Sequence, residues 1–87
     1  MNKENMIQSH TEQIKAFKRQ LAGFKSKLVE LRMERISKLI STDINTTEYD
    51  TVYLTYDDLI NNCVNDINKC NLDIKAYEVD IDKLKNE

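Results

Sequence analysis

The sequence predicts an all-α fold, an antiparallel two-helix hairpin of coiled-coil character that dimerises into a four-helix bundle. Three observations predict it. The 87 residues contain one Gly and no Pro, so little interrupts a helix. Apolar residues recur at alternating intervals of three and four over most of the length, the signature of a helical seam. Only one stretch loses the period, and there Ser, Thr, Asn and Asp collect. A single domain covers residues 1–87.

The first tract runs Ile7, His10, Ile14, Phe17, Leu21, Phe24, Leu28 and Leu31. It predicts a helix over about 3–41, starting near Asn2, with one polar seam position at His10. Beyond Leu31 the apolar stripe moves to Met33, Ile36, Leu39 and Ile40. A seven-residue repeat cannot continue through Arg35 and Lys38, which implies either local unwinding or a broader buried face near the helix end.

The second tract is stricter: Tyr53, Tyr56, Ile60, Cys63, Ile67, Cys70, Ile74, Tyr77, Ile81 and Leu84. It predicts a helix over about 55–86, with Thr55 as N-cap, Asp57 and Asp58 in the first turn, and Leu54 stapled against Leu59. An earlier start at Thr47, with Asp50 three residues on, is the alternative. The loop is then about 42–54, within which Thr51-Val52-Tyr53-Leu54 has the composition of a short extended segment.

A hairpin closed by that loop sets facing residue numbers to sum to about 97. Ile60 then meets Ile36, Ile67 meets Leu31 and Leu28, Ile74 meets Phe24, Tyr77 meets Leu21, Ile81 meets Phe17 and Leu84 meets Ile14. Ile7 and His10 overhang the end of helix 2 and call for another chain.

The net charge of −2 conceals a division. Residues 1–41 carry nine Lys and Arg against four Glu, near +5, while the remainder has eleven acids against four Lys, near −7. Attraction between a basic and an acidic helix favours pairing one with the other over self-pairing. Lys18, Lys25 and Arg32 recur every seven residues on one shoulder of helix 1, and Asp66, Asp73 and Asp80 on a shoulder of helix 2. Within the hairpin those aspartates face Gln20, Lys27 and Glu34, a poorer match. The basic row therefore suits the acidic helix of a second copy, so a homodimer is the expected assembly. Ser9, Ala16 and Gly23 share an outer heptad position, which suggests close approach of another backbone there.

Composition argues against an enzyme, because phosphate loops, nucleophile elbows and dinucleotide folds all require glycines that this chain lacks. No nucleophile, base and orienting group form a plausible constellation. Cys63 and Cys70 lie two turns apart, about 10.5 Å, too far for a disulfide within one helix. They read as small apolar seam residues, with a bridge between two chains as the alternative. No metal motif and no cofactor site is expected.

Three surfaces remain as candidates. At the loop end, Glu48, Tyr49, Asp50, Tyr53, Tyr56, Asp57 and Asp58 combine acids with tyrosines and suit a protein partner, although Tyr53 and Tyr56 also fit a role in closing the bundle. Lys15, Lys18, Arg19, Lys25, Arg32 and Arg35 could follow a phosphate backbone; nucleic acid is not favoured, because the acidic helix lies alongside. Conversely, the acids of helix 2 could imitate phosphates. The expected function is non-catalytic: a small adaptor, modulator or inhibitor of another protein, with a structural assembly factor or chaperone as the alternative. With no apolar run long enough to span a bilayer and no signal-peptide core in MNKENMIQSH, the expected location is the cytoplasm. The abundance of Asn, Lys and Ile matches an AT-rich genome, compatible with a phage-encoded protein acting in its host's cytoplasm.

Overall fold

The computed structural model describes residues 2–87, which form two long helices and no strand. Helix α1 spans Lys3–Ile40 and helix α2 spans Thr47–Lys85. They lie side by side in a rod of 63 × 16 × 15 Å. Lys3 near the start of α1 reaches the Glu87 carbonyl, and Cys63 in the middle of α2 reaches the Phe24 carbonyl, so the helices run antiparallel.

Side chains close the helix ends. The Asn2 carboxamide oxygen accepts from the Asn5 N–H at 2.8 Å, satisfying one of the donors that a helix start leaves bare. At the other end of α1, the Ser41 and Thr42 hydroxyls donate to the Lys38 carbonyl at 3.0 and 2.7 Å. The chain then turns on Asp43, whose carboxylate accepts from the Asn45 N–H at 3.0 Å and whose carbonyl accepts from the Thr46 hydroxyl at 2.6 Å. Thr46 caps α2 by accepting from the Tyr49 N–H at 3.3 Å, and Glu48 and Asp50 in the first turn favour the positive end of the helix dipole.

This cap corrects the predicted start at Thr55. Helix α2 begins eight residues earlier, so the loop is 41–46 instead of 42–54, and residues 51–54 are helical rather than extended. The Thr51 and Thr55 hydroxyls donate to carbonyls four residues back, at 3.0 and 2.8 Å, an accommodation that lets threonine sit inside a helix. Burial of Val52 and Tyr56 against α1 outweighs the strand preference of the segment, for which no pairing partner exists. The staple between Leu54 and Leu59 does not form, since both are exposed.

A shorter loop moves the register. Facing pairs such as Lys3 and Glu87, His10 and Asp80, and Glu34 and Tyr56 have numbers that sum to about 90, one heptad less than expected. Seam still meets seam, because a seven-residue slip preserves the pattern. The partners change, however. Ile60 packs in one cluster with Leu31, Tyr56 and Cys63, and Ile36, its predicted partner, is exposed. Tyr77, predicted to meet Leu21, packs its ring against those of His10 and Phe17. His10 accordingly does not overhang: its ring lies 5.0 Å from that of Tyr77, and its Nε2 is 2.6 Å from Asp80 Oδ2.

The seam also continues through Arg35 and Lys38. The Arg35 guanidinium sits 5.4 Å from the Tyr53 ring centre, and the Lys38 ammonium 5.3 Å from that of Tyr56. Cations over aromatic faces thus hold two heptad positions that looked like interruptions. Of Met33, Ile36, Leu39 and Ile40, predicted to take over the buried face, Leu39 is half-buried and the other three are left bare at 65%, 57% and 80% exposure.

The core is a single file: Ile14, Leu31, Tyr56, Ile60, Cys63, Cys70, Ile74 and Leu84 are buried. Gly23 lies outside it, and a Cβ added there meets nothing within 4 Å, so no backbone of this chain approaches it. Gly23→Ala is therefore expected to stabilise the hairpin by about 0.5–1 kcal/mol, through helix propensity alone. Urea unfolding of the two proteins at the same low concentration measures this.

Candidate functional site

The acid and tyrosine set at the loop end divides into two groups. Tyr56 is buried, its hydroxyl donates to Glu34 Oε2 at 3.3 Å, and Lys38 covers its ring. Asp57 lies 4.0 Å from the Arg35 guanidinium, and Tyr53 stacks against the same guanidinium. Tyr49 is half-buried. Tyr53, Tyr56 and Asp57 join the helices at the loop end. The outward group is Glu48, Asp50 and Asp58, all exposed.

Hydrogen bonding with Tyr56 is the main cause that raises the Lys38 pKa above the ordinary lysine range; charge attraction to Tyr56 comes next, and Glu34 adds to it. At neutral pH the contact is that of the Lys38 ammonium lying over the Tyr56 ring.

Asp50, Leu54 and Asp58 follow one another at intervals of four and form a single outward ridge of α2. Leu54 is 62% exposed on that ridge, and Ile44 is 67% exposed in the adjoining loop. Neither apolar residue belongs to the set chosen from the sequence. An i, i+4, i+8 pattern of acid, leucine and acid was the signal available for the ridge, and it was obscured by assigning residues 42–54 to the loop.

The basic residues lie on the outer face of α1. Lys15, Lys18, Arg19, Lys25 and Arg32 are exposed, while Arg35 is turned inward to Tyr53 and Asp57. Among the described residues, ion pairs are confined to Lys15 with Glu12 and Arg35 with Asp57, apart from the His10–Asp80 hydrogen bond. Lys18, Lys25, Arg32, Asp66 and Asp73 form none. The opposed charges of the two helices thus act through longer-range attraction, which is weak and screened by salt.

On the shoulder where Gln20 faces the aspartates lies a shallow groove of about 190 Å³, lined by Phe17, Gln20, Phe24, Asp66, Lys69, Cys70 and Asp73. Cys63 and Cys70 are both buried free thiols. Cys63 donates to the Phe24 carbonyl at 3.1 Å, so the thiol occupies a hydrogen-bonded seam position. Among the described residues no three His, Cys, Asp or Glu converge as metal ligands, and no helix is long and apolar enough to cross a membrane.

No protein family, no curated protein and no solved structure matches this chain.

Proposed function

We propose that this chain is a non-catalytic protein-interaction module, a small helical-hairpin adaptor or modulator that binds another protein at its loop end. One observation carries the reading: the ridge Asp50–Leu54–Asp58 stands exposed, as does Ile44 in the loop, on a hairpin end joined by Tyr53, Tyr56, Arg35 and Lys38. An apolar residue framed by acids suits a partner surface that is apolar at its centre and basic at its rim. Rigid backing matters because binding then orders few groups that were mobile before. Two unpaired thiols fit a reducing compartment such as the cytoplasm, including that of a host cell.

The test is affinity capture from native cell extract with the intact protein and with a Leu54→Glu, Asp58→Lys double variant, each repeated after nuclease treatment. The reading expects a discrete protein that survives nuclease and is lost with the variant. Capture that disappears on nuclease treatment would transfer the function to the basic face of α1 and to nucleic acid. Undiminished capture by the variant would place the contact elsewhere on the rod.

A further inference from the structure

The outer face of α1 has two halves. Its first half is basic, with Lys15, Lys18, Arg19 and Lys25 exposed. Its second half is apolar: Val29, Met33, Ile36 and Ile40 follow at intervals of four, three and four, at 55%, 65%, 57% and 80% exposure. These four fall on one helical stripe facing away from α2. Isolated surface apolars need no explanation, but a contiguous stripe marks an interaction surface.

We propose that this stripe binds the same stripe of a second copy, in an antiparallel dimer in which only the loop halves of the two rods overlap. The inference concerns a different surface from the Asp50–Leu54–Asp58 ridge and does not depend on that reading.

Area supports a second copy. The chain exposes 6492 Å², whereas a compact monomer of 10.2 kDa exposes about 5,300 Å². The excess of about 1,200 Å² exceeds the roughly 800 Å² per partner of a standard interface. Association is a usual remedy for a domain this small with so thin a core.

Charge selects the overlap. Laying α1 on α1 over their full length sets Lys18 against Lys25, like charge on like. Overlap restricted to the apolar halves pairs Val29 with Ile40 and Met33 with Ile36 around a two-fold axis, an isologous contact that closes on itself. Arg32 then faces Leu39 and Glu30 faces Ser37, so no like charges meet within the patch. Lys25 of each chain comes beside the loop of the other, where Asp43 is exposed. The basic halves are carried to opposite ends of the particle.

This arrangement differs from a fully overlapped four-helix bundle in length. Each rod is 63 Å long; overlap of residues from about 25 to the loop removes about 30 Å, leaving a dimer about 95 Å long. Sedimentation equilibrium and small-angle X-ray scattering on the full chain test it. The expected results are a concentration-dependent dimer of about 95 Å and a melting temperature that rises with protein concentration. Ile36→Glu should weaken dimerisation by about 100-fold or more, because each interface loses the residue twice. Leu72→Glu, on an exposed apolar residue of α2 outside the stripe, should leave it unchanged. Met33→Glu and Lys25→Glu should each weaken the dimer while the monomer stays helical, an arm that decides the matter should Ile36→Glu lose helicity. A monomer at several hundred micromolar, a dimer no longer than one rod, or a helical Ile36→Glu protein that dimerises like the parent would overturn the proposal. Loss of partner capture by the Leu54 and Asp58 variant bears on the other surface only.

Discussion

Leu31→Ala is expected to cost about 2–4 kcal/mol of folding stability, whereas Ile36→Ala, measured where the chain is monomeric, should cost less than about 0.5 kcal/mol. Both residues belong to the apolar pattern of α1, and composition alone cannot rank them. Leu31 is buried in the cluster with Tyr56, Ile60 and Cys63, while Phe24, Leu28 and Val52 pack around it. Truncating it removes apolar contact and leaves a cavity between two helices that cannot collapse inward far. Ile36 lies on the outer stripe, 57% exposed, and its truncation removes little buried surface. Urea titrations in dilute solution distinguish the two. A large loss at Ile36 would restore the longer-loop register in which it packs on Ile60.

Tyr56→Ala is expected to cost about 3 kcal/mol, and Tyr56→Phe about 1 kcal/mol. The ring is buried, closes the core at the loop end and carries the Lys38 ammonium on its face, so removing it opens the end of the hairpin. The hydroxyl donates to Glu34 at 3.3 Å, a part-exposed contact that contributes less. Thermal and urea unfolding measure the first effect, and the Phe variant isolates the second. Equal stability of the Ala variant and the parent would return Tyr56 to the partner-binding set.

Much of the fold was legible because a heptad pattern has few interpretations. Ten seam positions in the second half require a helix, and the boundary of α1 at Ile40 lies one residue from the expected 41. The register was not legible, for a reason inherent in the pattern. A seven-residue slip places seam on seam again, so only the loop length selects among registers, and the loop length depended on one cap. Thr46 and Thr55 are both threonines followed by acids, and local sequence does not rank them. The seam at Arg35 and Lys38 was missed for a related reason: their charge hid the two tyrosines opposite, which could be paired only once the register was correct. From that slip came the expected overhang of Ile7 and His10.

The candidate surfaces were legible in composition but not in orientation. Acids and tyrosines marked the loop end, yet the structure turns Tyr56 and Asp57 inward and leaves Leu54 and Ile44 outward. Likewise Met33, Ile36 and Ile40 looked like core because they are apolar and close in sequence to Leu31. They are exposed because the cationic stems of Arg35 and Lys38 already occupy the seam.

Both proposed surfaces follow from the register, so the register is the central claim. A nuclear Overhauser experiment on the Tyr77 ring protons tests it directly. The structure predicts cross-peaks to the rings of His10 and Phe17, whose centres lie 5.0 and 5.9 Å away. Cross-peaks from Tyr77 to Leu21 and Phe24, with none to His10, would contradict it, and would place Ile36 in the core and leave His10 overhanging.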